Sequence, residues 1–173
     1  GRDVLETVSK AYGFVPNLMA TMVEAPATAK SYLALSEIFG STSFSPVEQQ
    51  VVLLTTSRAN GCEYCVAAHS TIAGMQKVDA DIVAAIRDNR PIDDAKLEAL
   101  RVLINKLNEQ RGWLSDADVA DFIAAGYSQQ QVLEAVLGVA FKTISNYTNH
   151  IAGTPVDEAF AKQAWKAPQK AVA

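Results

Sequence analysis

Apolar residues recur at spacings of three and four along almost the whole chain, a period that suits helices and little else. Leu97, Leu100, Ile104 and Leu107 show it most plainly. The punctuation agrees. Ser45-Pro46 sets a capping serine before a proline at the first helical position, with Glu48 three residues past the cap. Ser115 and Ser128 read as further starts, and Gly40, Gly112 and Gly126 as stops. Almost nothing reads as strand. The pattern predicts an all-α fold of about eight helices. No linker interrupts it, so the 173 residues read as one domain over residues 1–166, with a flexible tail at 167–173.

Composition narrows the class. Apolar residues make up 49% of the chain and charged residues 20%, with a net charge of −4, which is ordinary for a globular protein in water. Lys and Arg are scattered and form no basic run, so nucleic acid is not an expected partner. No apolar stretch reaches the length of a membrane span. No leader segment is visible, and the expected location is the cytoplasm.

The chemistry concentrates in Asn60-Gly61-Cys62-Glu63-Tyr64-Cys65-Val66-Ala67-Ala68-His69. The two cysteines are the chain's only ones, and His69 is one of its two histidines. Asn60-Gly61 reads as a helix stop and the following residues as a new helix beginning near Cys62. At about 100° per residue, Cys62, Cys65 and His69 fall within roughly 60° of one face. A thiol in a first helical turn feels the positive end of the dipole, which favours thiolate. His69 is one turn past Cys65 and within range to exchange a proton with it, directly or through a water.

Three readings compete for this stretch. It is a redox dithiol, a zinc site, or two small buried cysteines beside a helical histidine. Structural zinc needs four ligands, and the fourth would have to be His150, far downstream. That arithmetic counts against a metal. The spacing of the cysteines, with a histidine on their face, counts against chance.

Ser45-Pro46-Val47-Glu48-Gln49-Gln50-Val51-Val52, followed by Ser57-Arg58-Ala59-Asn60 and the dithiol stretch through His69, resembles the alkylhydroperoxidase AhpD-like branch of the carboxymuconolactone decarboxylase family. The likeness is strongest over residues 45–75; elsewhere it is one of helical layout. It implies an AhpD-like helical domain, assembled as a trimer or hexamer, that reduces peroxides through the cysteine pair. Cys65 would be the thiol that attacks peroxide, Cys62 the thiol that resolves it, and His69 the proton carrier. No cofactor or metal is implied. The implied partners are a peroxide and an external dithiol or redox-protein reductant.

One position departs from the resemblance. The residue twelve before the first cysteine, a relay glutamate in the peroxidase members, is Gln50 here. Glutamine can hold a hydrogen bond but cannot take up and return a proton at neutral pH. Glu48 lies about 200° away round a helix and does not simply replace it. Gln50, Glu48 and His150 are candidate site-lining residues, His150 having the alternative of meeting the negative end of its own helix. Tyr64 points off the cysteine face and is expected to pack. The expected function is a thiol-dependent peroxidase. Its rivals are a redox sensor or helical interaction module, in which the disulfide changes shape without turnover, and a decarboxylase of the same family.

Overall fold

The structure, a computed structural model, describes residues 2–168. It is all helical, with no strand among the described residues. In chain order the helices are α1 (Arg2–Tyr12), α2 (Asn17–Met22), α3 (Pro26–Gly40), α4 (Pro46–Ala59), α5 (Glu63–Met75), α6 (Ala80–Arg87), α7 (Ala95–Gln110), α8 (Asp116–Ala124) and α9 (Gln129–Ala152), with a 3₁₀ helix at Glu158–Gln163. This layout matches the expected all-α domain of about eight helices, with α2 and the 3₁₀ helix each only six residues long. No described helix is long and apolar enough to cross a membrane. Of the expected tail, only Ala167 and Pro168 fall within the described residues.

The starts lie where the side chains direct them. Ser45 Oγ accepts from the Glu48 amide at 3.3 Å while Glu48 Oε2 accepts from the Ser45 amide at 2.8 Å. That reciprocal pair satisfies two amides that no helical carbonyl can reach. Ser115 with Asp118, and Ser128 with Gln131, repeat the device on α8 and α9.

Helix α4 is the centre of the molecule, packed against α5, α6, α7 and α9. Every residue from Gln50 to Ser57 is buried. The sequence suggests one buried side carrying Val47, Val51, Leu54 and the stem of Arg58, whereas this helix is enclosed all round. Its small polar residues allow that. Thr56 Oγ1 donates to the Val52 carbonyl at 2.9 Å and Ser57 Oγ to the Leu53 carbonyl at 2.8 Å, so their hydroxyls need no water. Val51, Val52 and Leu54, at most 1% exposed, each contribute about 1.5–3 kcal/mol by burial.

Two apolar clusters result. The larger surrounds α4 with residues of α3, α6, α7, α8 and α9. The smaller joins Val4, Val8, Leu18, Met19 and Met22 of the first two helices to Cys62, Tyr64, Cys65 and Ala68. The dithiol therefore sits in its own apolar compartment beside the main core.

Two glycines fix how the site is assembled. Gly61, at φ 67°, turns the chain from α4 into α5 in a conformation that other residues rarely adopt. Gly138 lets α9 lie close on α4 and α3: a Cβ there would stand 2.5 Å from Val52 Cγ1 and 2.7 Å from Phe39 Cε2. That close approach carries the following turns of α9 across the dithiol.

Candidate active site

Cys62 is the N-cap of α5, its Sγ accepting from the Cys65 amide at 3.3 Å. The helix thus begins one residue after the first cysteine and aims the amide of its third residue at that sulfur. Both cysteines are free thiols and both are buried. Across from them runs a polar stripe on α9. Asn149 Nδ2 donates to Cys65 Sγ at 3.2 Å and lies 3.7 Å from Cys62 Sγ. Cys65 Sγ is 3.7 Å from Ser145 Oγ, which donates to the Lys142 carbonyl at 3.0 Å. Asn146 braces the stripe, accepting from Asn60 Nδ2 at 2.9 Å and donating to Ser57 Oγ at 3.3 Å.

Helix α9 is amphipathic in reverse. At about 100° per residue, Lys142, Ser145, Asn146 and Asn149 share one face and Leu133, Val136, Tyr147 and Ile151 the opposite one. The polar set is buried and the apolar set is exposed. Reading the sequence for motifs near the cysteines misses these four residues around the thiols. The signal was present in the spacing of those polar residues at i, i+3, i+4 and i+7.

The two thiols differ in acidity. Burial acts against a thiolate at Cys65, but the Cys62 thiol, the Lys142 ammonium and the Ser145 and Asn146 side chains outweigh it, bringing its pKa down to about 5. Cys62 is pushed the other way, by its hydrogen bond to Cys65 and then by burial. The sequence left the order of reaction open, the dipole favouring Cys62 and the histidine spacing Cys65. The electrostatics favour Cys65 as thiolate and Cys62 as thiol.

His69 is buried, with Nδ1 at 3.1 Å from Gln50 Oε1. Gln50 Nε2 in turn donates to Gln76 Oε1 at 3.1 Å. Burial, then repulsion from Lys142, hold the histidine pKa well below its ordinary value, so the ring is neutral. No direct hydrogen bond joins His69 to Cys65 among the described residues. They meet instead at a cavity of about 670 Å³, which Gln50, Cys65, His69 and Lys142 line on one side. Phe14, Leu18, Leu33, Phe39 and Phe160 contribute to its apolar walls.

Tyr64 also reaches this cavity. Its hydroxyl donates to Asp157 Oδ2 at 2.5 Å and accepts from the Leu18 amide at 3.3 Å. Asp157 accepts twice from the Asn17 amide, at 3.1 and 3.2 Å, capping α2. Beyond the packing expected of it, Tyr64 ties the wall of the cavity to the dithiol helix.

Two other candidates lie elsewhere. Glu48 is occupied in the cap of α4 and pairs with Lys96 at 3.2 Å, and it does not line the cavity. His150 is exposed in the last turn of α9, stacked on Tyr147 with ring centroids 6.4 Å apart. There it meets the negative end of the helix. No cluster of three or more metal-ligating side chains occurs among the described residues.

Comparison with known proteins agrees with this architecture. Residues 26–105 match the carboxymuconolactone decarboxylase family, a stretch running from α3 into α7 and including the dithiol. No curated protein matches the sequence. Similar solved structures include an alkylhydroperoxidase AhpD core, a peroxidase-related protein from Ralstonia eutropha JMP134, with 21% identity, TM-score 0.83, and coverage of 92% of this chain and 88% of that one. A peroxidase-related protein from Silicibacter sp. TM1040 has 16% identity, TM-score 0.80, and coverage of 92% and 85%. The debrominase Bmp8, solved with 2,3,4-tribromopyrrole, has 19% identity, TM-score 0.78, and coverage of 93% and 87%. At these identities the likeness is one of fold. Taken with the family match over residues 26–105, it shows the AhpD-like all-α fold and supports the resemblance to the carboxymuconolactone decarboxylase family.

Proposed function

We propose that the protein is a dithiol peroxidase that cycles Cys62 and Cys65 between thiol and disulfide. One observation carries this reading: the more acidic thiol, Cys65, lines a cavity large enough for an organic peroxide, while Cys62 waits beside it as the neutral partner. The Cys65 thiolate attacks the terminal peroxide oxygen. The S–O bond forms, the O–O bond breaks, and Cys65 becomes a sulfenic acid. Cys62 attacks that sulfur, the hydroxyl leaves as water with the Cys62 proton, and the disulfide closes. An external dithiol or redox protein restores both thiols. The family resemblance implies His69 as proton carrier for the departing oxygen, but a neutral ring held by the Gln50 amide has no proton to release there at neutral pH. A chemistry that ends by accepting electrons from a dithiol suits a reducing compartment such as the cytoplasm.

A steady-state assay with an organic hydroperoxide and a recycling dithiol tests the reading. Repeated turnover supports it; a single stoichiometric oxidation supports the sensor instead. Activity on a lactone acid that survives loss of both cysteines supports the decarboxylase.

The volume and aromatic lining of the cavity favour one further reading, debromination, the activity that the name of Bmp8 gives it. There the dithiol would supply two electrons and one proton to the ring carbon, a C–H bond replacing the C–Br bond; bromide and the second thiol proton leave, and the same disulfide remains. Bromide release from a bromopyrrole, matched to thiol loss, would distinguish it.

A further inference from the structure

We infer that Lys142 is a catalytic residue of this dithiol site: its buried ammonium, lining the cavity with Cys65, holds the proton given up by that thiol and passes it to the departing oxygen. The inference rests on the dithiol peroxidase reading.

The geometry raises the question of charge. Lys142 is 1% exposed. Its Nζ makes one hydrogen bond, to the Tyr32 hydroxyl at 3.4 Å, and lies 5.1 Å from the Phe141 ring centroid and 5.7 Å from that of Tyr32. No carboxylate among the described residues pairs with it. An ammonium removed from water is costly unless an anion faces it. The titratable groups facing it are Tyr32 from α3, Cys62 and Cys65 at the start of α5, and His69 further along α5. On the cavity wall α4 offers Gln50, an uncharged amide. Burial drives the Tyr32 phenol away from ionisation, and His69 is neutral. The Cys65 thiolate is therefore the counter-ion. Burial acts to discharge Lys142, and the Cys65 thiolate opposes it.

The same arrangement answers the glutamine at position 50. A neutral His69 bonded to an amide has no proton to spare and no carboxylate to recharge it. Lys142 has both. In the resting site the Cys65 proton resides on the amine. When the thiolate attacks, two electrons pass from sulfur to the peroxide, the O–O bond breaks, and the departing oxygen takes a proton from Lys142, leaving an amine. Disulfide closure consumes the Cys62 proton in water. An incoming dithiol then returns two electrons and two protons, one to Cys62 and one to Lys142. Each cycle balances without a carboxylate.

Lys142→Met and Lys142→Arg test this in single-turnover mixing of the reduced protein with tert-butyl hydroperoxide, alongside a thiol titration by alkylation rate. Lys142→Met should raise the Cys65 pKa and slow disulfide formation at neutral pH by roughly 10²-fold, with partial recovery at alkaline pH. Lys142→Arg should keep the low thiol pKa yet remain slowed by roughly tenfold or more, since a guanidinium holds its proton. Unchanged thiol pKa and rate in Lys142→Met would overturn the inference, and so would full activity in Lys142→Arg. Should either variant fail to fold, nitrogen NMR of lysine side chains in the unaltered protein decides. One lysine should lose its charge when the dithiol is oxidised at neutral pH, and none doing so contradicts the proposal. If the unaltered protein forms no disulfide with hydroperoxide, the peroxidase reading fails, while the titration and the NMR still report on the ion pair.

Discussion

Asn149 Nδ2 donates to Cys65 Sγ at 3.2 Å and reaches Cys62 Sγ at 3.7 Å, so one side chain spans both members of the dithiol. A donor aimed at a thiolate stabilises it more than a thiol. Replacing Asn149 by Leu keeps the volume and removes the donor. A hydrogen bond to a charged group contributes about 1.5–3 kcal/mol, or roughly one to two pKa units. The Cys65 pKa should rise by that amount, as read by the pH dependence of alkylation. An unchanged titration would mean that Asn149 serves packing alone.

His69 should make stability fall on acidification. Its pKa in the folded protein lies below the ordinary value, so the unfolded chain binds its proton first, at about pH 6.5. Stability is then complete above that pH and is lost as pH falls, by up to about 1.4 kcal/mol per unit from this group. Cys65, also lowered, acts with the same sign. Urea unfolding at pH 7 and pH 5 measures the sum, and histidine-ring NMR isolates His69, which should remain neutral where a free histidine titrates. Gln50→Glu sets a carboxylate against Nδ1 and should move the His69 titration upward. A ring already charged near pH 6.5 in the unaltered protein would refute this.

Gly138→Ala should destabilise the fold. Alanine gains about 1 kcal/mol in helix propensity, but its methyl would sit 2.5 Å from Val52 Cγ1, a 0%-exposed side chain. Overpacking of that kind costs typically 1–3 kcal/mol. Denaturant midpoints should show a net loss, accompanied by a shift in Cys65 acidity as α9 is pushed from the thiols. A variant as stable as the parent would show that α9 has room to move.

Most helix limits were legible from the sequence, because a Ser-Pro start or a serine cap acts through its near neighbours. Cys62, Cys65, His69 and Gln50 were also legible, since one short motif and one helical spacing bring them forward. Lys142, Ser145, Asn146 and Asn149 were not. They lie about 80 residues beyond the cysteines and join them only because Gly138 allows α9 to approach α4. Glu48 and His150, offered only as possible lining, take the roles that the sequence also gave them, a cap and a helix end. Each is a titratable group near the right stretch of sequence that local forces already employ.

The exposed face of α9 supports the expected self-association. Leu133, Val136, Tyr147 and Ile151 form an apolar stripe opposite the face that meets the dithiol. Sedimentation should give a trimer or hexamer of the 18.5 kDa chain, and Tyr147→Glu with Ile151→Lys should reduce it to smaller species. A clean monomer at micromolar concentration would remove this expectation without touching the dithiol.

The central claim is that Cys62 and Cys65 work as one redox pair. Mass spectrometry with thiol counting, before and after one equivalent of organic hydroperoxide, tests it directly. The account predicts loss of two hydrogens, no free thiol, a Cys62–Cys65 linkage within one chain, and recovery of both thiols with a dithiol. Cys62→Ser should instead stop at a sulfenic acid on Cys65. Two free thiols persisting after the oxidant would contradict it.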